Sequence, residues 1–178
     1  FMAVRDSAPY TPLIIGGGQE SGLRSGTENL PGIAALNALF ELMLDGSNRR
    51  FHSEAKLQDY RSQLVGALRS AFPSIVFNHD FELSVPTTLN FSVEGVASRD
   101  IMDVFDACQI RVSSGSACSS KVTKSFVLDA MGLEEWRSGS AIRLSFGPAT
   151  RQEEITEACV RIKQAADALR NSCLIVAD

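Results

Sequence analysis

Thr87-Thr-Leu-Asn-Phe-Ser-Val93 is the stretch at which the chain changes period. Leu89, Phe91 and Val93 alternate with Asn90 and Ser92, the two-residue repeat of a strand with one face buried. Ser140-Ala-Ile-Arg-Leu-Ser-Phe-Gly147 repeats the pattern, with Ile142, Leu144 and Phe146 on one side and Arg143 and Ser145 on the other. Ile75-Val-Phe77 and Ile110-Arg-Val112 are shorter strand candidates, and Phe1-Met-Ala-Val-Arg5 is strand-like. Around these runs the apolar period is 3.6. Asn29-Leu-Pro31 opens a helix whose Ile33, Leu36, Leu39, Phe40, Met43 and Leu44 form one stripe, expected to be core. A second helix is expected from about Asn48 to Phe72, with Leu57, Tyr60, Leu64, Leu68 and Phe72 on one face. Ser98 is read as the cap of a helix carrying Ile101, Val104, Phe105 and Cys108, and Ser125 to Gly132 as a short helix closed by glycine. Thr150-Arg-Gln-Glu153 reads as a capping box before a last helix carrying Ile155, Cys159, Ile162, Ala166 and Leu169. This order predicts an α+β fold, a small and largely antiparallel sheet with helices packed on one face.

Composition narrows the function classes. A chain of 178 residues, 44% hydrophobic, can build one good core or two small ones. Its net charge of −4, with acids and bases interspersed, argues against a direct nucleic-acid partner. No run approaches the ~18 apolar residues that would span a bilayer, so no membrane partner is expected. Cys108, Cys118, Cys159 and Cys173 form no CxxC pair, which fits a reducing, cytoplasmic compartment. His52 and His79 lie far apart with no metal-ligand spacing, and no metal site is expected.

Two loops and one arginine carry candidate chemistry. Val112-Ser-Ser-Gly-Ser-Ala-Cys-Ser-Ser-Lys121 places Cys118 among small polar residues. A lone cysteine is more often a small core hydrophobe, and Cys108 and Cys159 on apolar helical stripes read that way. Cys118 has no such stripe, and Lys121 and Lys124 nearby favour the thiolate that attacks. Ile14-Ile-Gly-Gly-Gly-Gln-Glu-Ser-Gly-Leu-Arg-Ser-Gly-Thr-Glu-Asn29 holds five glycines in the eleven residues from Gly16 to Gly26. Such a backbone can turn N–H groups toward an anion ahead of a helix, although most glycine turns bind nothing. Arg143, in the middle of an apolar strand, either emerges at a sheet edge in a salt bridge or meets an anion in a pocket. The pattern alone favours the edge.

Taken together, Ser113-Ser-Gly-Ser-Ala-Cys-Ser-Ser120, Gly16-Gly-Gly-Gln-Glu20 with Arg24-Ser-Gly-Thr-Glu-Asn29, Pro86-Thr-Thr-Leu-Asn-Phe-Ser92 and Ile142-Arg-Leu-Ser145 resemble the cysteine desulfurases, pyridoxal-phosphate enzymes of the class V aminotransferase group. The resemblance runs in family order over nearly the whole chain and implies the C-terminal part of a fold type I enzyme. Ile15 departs from it, standing where many relatives carry histidine. By resemblance, Cys118 is the sulfur-accepting nucleophile, Arg143 holds the carboxylate of L-cysteine, and Thr27, with Gly26 and Arg24, touches the phosphate of pyridoxal 5'-phosphate in the other subunit of a homodimer. The products implied are alanine and a persulfide on Cys118, passed on to a sulfur acceptor or scaffold protein. The loop length resembles the long-loop group that serves iron-sulfur cluster assembly or tRNA thiolation.

The family's cofactor lysine precedes the glycine-rich loop, and Lys56, Lys121, Lys124 and Lys163 lie in no such motif. The expected organisation is therefore 1–46 as a strip of large-domain interface with the Gly-rich loop and first helix, and 47–178 as a small C-terminal domain. Such a fragment is expected to be inactive alone. Two other readings stay open: another class V aminotransferase or selenocysteine lyase, and a non-catalytic interaction module for a sulfur acceptor.

Overall fold

A computed structural model describes residues 2–45, 51–114 and 125–175, with side chains through residue 171. The chain divides into two compact units, Phe1–Asn48 and Arg49–Asp178.

In the larger unit, β1 (Ile75–Phe77), β2 (Thr88–Val93) and β3 (Ile142–Ser145) form an antiparallel sheet in the order β1-β2-β3. The α+β reading of the sequence therefore holds. Phe77 stands opposite Phe91, Phe91 opposite Ile142 and Leu89 opposite Leu144, so one face of the sheet is wholly apolar. Leu89, Phe91, Val93, Ile142 and Leu144 are all buried. They share a single core with Tyr60, Leu64 and Leu68 of α2 (Glu54–Ala71), Ile101 and Phe105 of α3 (Ser98–Ala107), and Ile155, Ile162 and Ala166 of α6 (Gln152–Ile175). Each large apolar side chain buried this way contributes roughly 1.5–3 kcal/mol, which is why the register is fixed. Polar clasps join α2 to α6. Lys56 Nζ donates to Gln152 Oε1 at 2.8 Å, Gln152 Nε2 donates to Gln63 Oε1 at 2.9 Å, and Arg170 donates to the Ala71 carbonyl at 3.0 Å.

Several local expectations change. Helix α2 begins at Glu54, where the Ser53 hydroxyl accepts from the Lys56 N–H, not near Asn48. Ala97 precedes α3 without a side-chain cap, and Ser98 is its first residue. At α6 the box is shifted by one: Glu154 Oε2 accepts from the Arg151 N–H at 2.8 Å, while Thr150 Oγ1 accepts from Gly147 N–H at 2.9 Å. A helix absent from the sequence reading, α5 (Glu135–Ser140), runs directly into β3, after the short α4 (Phe126–Ala130). Residues 110–112 form no strand; only Ser113 pairs, as an isolated bridge with Arg143.

The turn that aims the chain at that bridge lies at the end of α3. Ile110 N–H donates to the Phe105 carbonyl at 2.8 Å and Gln109 N–H to Asp106 at 2.8 Å, a Schellman closure with Ile110 buried against the core. Gln109 takes the left-handed position, with φ 60°, that glycine usually fills. Glycine does fill the matching position after α4, Gly132 at φ 76°.

The smaller unit holds α1 (Leu30–Leu44), capped by Asn29, whose side chain accepts from Gly32 N–H. No residue of α1 is buried, and Leu30, Ile33, Leu39, Met43 and Leu44 are exposed. The expected core stripe is therefore not buried: the described residues of the unit supply no second apolar layer that closes over it. Residues 2–5 form no strand, and no strand to pair with them lies among the described residues of the unit.

Two stability effects follow from this geometry. Gln109→Gly should stabilise the protein by about 1 kcal/mol, read from urea midpoints, because the left-handed backbone penalises a side chain by about that much. His79 gives the second. Its Nδ1 lies 2.8 Å from Ser84 Oγ, its Nε2 is buried without a partner among the described residues, and burial, reinforced by the charge of the adjacent Arg61, lowers its pKa below the usual histidine value. As pH falls through about 6.5 the unfolded chain takes up a proton that the folded chain refuses, so stability should drop. His79→Phe should shrink the difference between urea midpoints at pH 7.5 and pH 5.5; an unchanged difference would assign the slope to other groups.

Candidate functional site

The buried face of the sheet dictates the other one. Because side chains alternate, Leu89 and Phe91 facing the core leave Thr88, Asn90 and Ser92 on the opposite face, with Arg143 and Ser145 of β3 beside them. Ser113 and Arg143 exchange both backbone hydrogen bonds, at 3.0 and 2.7 Å. Arg143 therefore forms a non-hydrogen-bonded pair with Asn90 on its other side, the closer of the two antiparallel spacings. Asn78, beyond the end of β1, donates its N–H to the Asn90 carbonyl at 2.9 Å. A polar row thus crosses the sheet: Asn78, Asn90, Arg143, Ser113.

Arg143 is exposed, and its guanidinium makes no hydrogen bond or ion pair among the described residues. Its strand is not an edge: β3 is flanked by β2 on one side and the Ser113 bridge on the other. The edge salt bridge that the sequence pattern favoured is therefore absent among the described residues. An exposed guanidinium on a polar sheet face, with no partner among the described residues, is suited to a bidentate anion such as a carboxylate.

Cys118, Lys121 and Lys124 fall outside the described residues. The two ends of their segment are fixed. Ser113 is tied to Arg143, and Ser125 N–H donates to the Ser138 carbonyl at 3.1 Å while its own side chain caps α4. The segment thus departs from a strand position directly beside Arg143 and returns at Ser125, the N-cap of α4, which is tied to α5, the helix that leads into β3.

The other described cysteines behave as core. Cys108 and Cys159 are half-buried against the hydrophobic cluster, and Cys159 Sγ donates to the Gln63 carbonyl at 3.7 Å. Burial pushes the Cys159 thiol above its usual pKa, which disfavours the reactive thiolate.

The glycine-rich loop folds on itself. Ser25 is buried, its hydroxyl donating to the Gly17 carbonyl at 2.7 Å, and Gly26 N–H donates to Gln19 Oε1 at 3.1 Å. Gly26 has φ 100°, a conformation an L side chain rarely adopts. The Arg24 guanidinium is occupied by the carbonyls of Ser25, Gly26 and Thr27, the shortest contact being 2.6 Å to Gly26. Arg24 therefore braces the loop, whereas Thr27 is exposed and can offer its hydroxyl outward.

Of the three residues expected at a phosphate, only Thr27 leaves a donor group exposed, since the Gly26 N–H is taken by Gln19 and the Arg24 guanidinium by the loop's own carbonyls. Lys56 lies 2.8 Å from Asp59 and from Gln152 and sits over the Tyr60 ring, so its amine is engaged. Lys163 is exposed on α6.

The sequence reading missed Arg137 and Asn78. Arg137 Nε donates to Asn78 Oδ1 at 2.9 Å and its Nη2 to the Phe77 carbonyl at 2.9 Å. Asn78 Nδ2 donates to Asn90 Oδ1 at 2.8 Å and to Ser92 Oγ at 2.9 Å, and Ser92 Oγ donates to the Arg137 carbonyl at 2.8 Å. Asn78 and Ser92 are almost wholly buried. The available signal was Asn90 and Ser92 alternating on the face that Arg143 shares.

Limited alkylation of the folded chain should modify Cys108 and Cys159 last. Mass mapping that found either one labelled ahead of Cys118 would contradict its core placement.

A family model for "Aminotransferase class-V" matches residues 14–157. The chain is 32% identical over 170 residues to a cysteine desulfurase of Sinorhizobium fredii, covering 95% of this chain, and 33% identical over 168 residues to one of Nostoc sp., covering 94%. It spans 43% and 41% of those relatives' own lengths. Among solved structures, a NifS-like protein from Rickettsia africae superposes with a TM-score of 0.65 at 28% identity, over 88% of this chain and 40% of that one. Motif order, sheet topology and a match over most of the length agree: the chain belongs to the aminotransferase class-V family.

Proposed function

We propose that this chain is the C-terminal part of a cysteine desulfurase, in which Arg143 holds the carboxylate of L-cysteine and Cys118 accepts its sulfur. The observation that carries the reading is the exposed Arg143 guanidinium on the polar sheet face, without a partner among the described residues, at the point where the Cys118 segment departs. The relatives named cysteine desulfurases, and a solved structure titled "SspA in complex with cysteine" that matches with a TM-score of 0.52 at 29% identity, support the substrate class.

Pyridoxal phosphate, bound in the whole protein, would supply the electron sink that lets a carbon–sulfur bond break. Arg143 orients the amino acid by its carboxylate, presenting the side-chain sulfur outward. The Cys118 thiolate attacks that sulfur; a sulfur–sulfur bond forms, the carbon–sulfur bond breaks, and its electron pair stays on carbon, which takes up a proton. The net change is L-cysteine plus a Cys118 thiol giving L-alanine plus a Cys118 persulfide, with no external oxidant or reductant. A small polar loop suits the next step, transfer of that sulfur to an acceptor or scaffold protein in iron-sulfur assembly or tRNA thiolation. Thr27, at the Gly26 turn, would contact the cofactor phosphate of a second copy in a homodimer, with residues 1–46 as the interface strip and 47–178 as the small domain. A cytoplasmic setting accords with a chemistry that needs a reduced thiol.

The test uses the complete protein that carries this chain. Arg143→Ala should lower kcat/KM for L-cysteine on the order of 100-fold with little change in melting temperature, since a bidentate charge-assisted contact to substrate is lost and no structural partner is. Cys118→Ser should abolish persulfide formation. Unchanged kinetics with a lowered melting temperature for Arg143→Ala would make Arg143 structural and overturn the reading.

A further inference from the structure

We infer that Asn90 is a second donor to the substrate carboxylate, its amide turned toward Arg143 by a one-way chain of hydrogen bonds that starts at Arg137. The inference rests on the carboxylate-clamp reading above and adds a residue to it.

The orientation of an asparagine amide is ordinarily ambiguous, because its oxygen and nitrogen are alike in size. Here a charged group removes the ambiguity. A guanidinium can only donate, so the atom of Asn78 that meets Arg137 Nε at 2.9 Å must be the oxygen. That places Asn78 Nδ2 on the other side, 2.8 Å from Asn90 and 2.9 Å from Ser92 Oγ. An NH2 group cannot accept, so the Asn90 atom it meets must in turn be the oxygen. The Asn90 Nδ2 group is left over. It makes no hydrogen bond among the described residues, and Asn90 is only half-buried.

Position completes the argument. Asn90 is the direct cross-strand neighbour of Arg143 in a non-hydrogen-bonded pair, where Cβ atoms of opposite residues lie roughly 4.5–5.5 Å apart. Two N–H donors of Asn90 and the fork of Arg143 therefore share one open patch of the sheet face, with no carboxylate of the described residues paired to either. A pure donor array with a net positive charge selects an anion and rejects cations. A carboxylate fits it, one oxygen or both on the guanidinium and a remaining lone pair on Asn90. Arg137 and Asn78 are then positioning residues: they touch no substrate and fix which end of Asn90 faces it.

The decisive variant in the complete protein is Asn90→Asp. It is isosteric and keeps the oxygen that accepts from Asn78, yet replaces the NH2 with a second, negatively charged oxygen. Turnover of L-cysteine is compared with that of L-cysteine methyl ester, which lacks the anion. Asn90→Asp should lower kcat/KM for L-cysteine by about tenfold or more, through KM, and leave the ester within about twofold. Asn90→Val, a strand former that removes the donors without adding charge, is the second variant should the first fold poorly, with an expected loss near tenfold on L-cysteine alone. Equal losses on both substrates, or none on either, would overturn the inference. Arg143→Ala separates the two levels. If it removes the preference for the free acid while the Asn90 variants do not, Asn90 fails and the clamp stands; if it leaves that preference intact, the clamp reading fails and this inference with it.

Discussion

The packing of β2 against α2, α3 and α6 is the constraint on which the rest depends. Leu89 and Phe91 are wholly buried, and Val93 nearly so. A slip of one residue would bring Asn90 and Ser92 into the apolar core, and burying an unpartnered amide costs several kcal/mol, so the register of the central strand has no near alternative. Once β2 is placed, β1 and β3 follow through the pairs Phe77–Phe91 and Leu89–Leu144. The position of Arg143 on the outer face is a consequence of where Ile142 and Leu144 must go.

That outer face is not simply a solvated surface. Ser92 and Asn78 are almost wholly buried beneath Arg137 of α5, and every polar atom named in their cluster has a partner. Truncating one member of such a cluster leaves buried groups unpaired, at roughly 1–3 kcal/mol each. The cluster stops at Asn90. Beyond it the row passes from satisfied groups to the Arg143 guanidinium, exposed and without a partner among the described residues, so a rigid polar interior grades into donor-rich surface. A rigid cluster behind exposed donors is the arrangement expected where a small anion is held.

The parts of this legible in the sequence are those set by periodicity. Alternation in Thr87–Val93 and Ile142–Ser145 gave the strands and their faces, and the 3.6 period of Leu57, Leu64, Leu68 and of Ile155, Ile162, Ala166 gave the core helices. Caps were less legible, because Ser98 and Thr150 are good capping residues whose hydroxyls lost to neighbouring geometry. Helix α5 escaped because Glu135-Trp-Arg-Ser-Gly-Ser140 is short and holds glycine and two serines. Tertiary contacts through Arg137 and the buried Ser138 hold it. Helix α1 shows the opposite failure. Its apolar stripe is plain in the sequence, yet periodicity says only that a face is to be covered, not that its own unit covers it. The site divides likewise: residue type and family motif singled out Arg143, whereas Asn78, Asn90 and Arg137 form a set only through cross-strand register.

The two turns that frame the Cys118 segment give it a firm attachment at both ends. At its start, the Schellman closure of α3 buries Ile110 and directs the chain into the Ser113 bridge, at the expense of holding Gln109 in a left-handed conformation. At its end, Ser125 is held twice, by its N–H to Ser138 and by its hydroxyl at the N-terminus of α4. Both anchors converge on β3, one through the Ser113 bridge to Arg143 and one through α5, whose last residue, Ser140, precedes Arg143 by three positions. A displacement of either loop end would therefore have to strain the strand that presents Arg143. In the proposed chemistry that coupling has a use. The two ends of the segment that carries Cys118 and the guanidinium proposed to hold the amino acid are thus referenced to one strand.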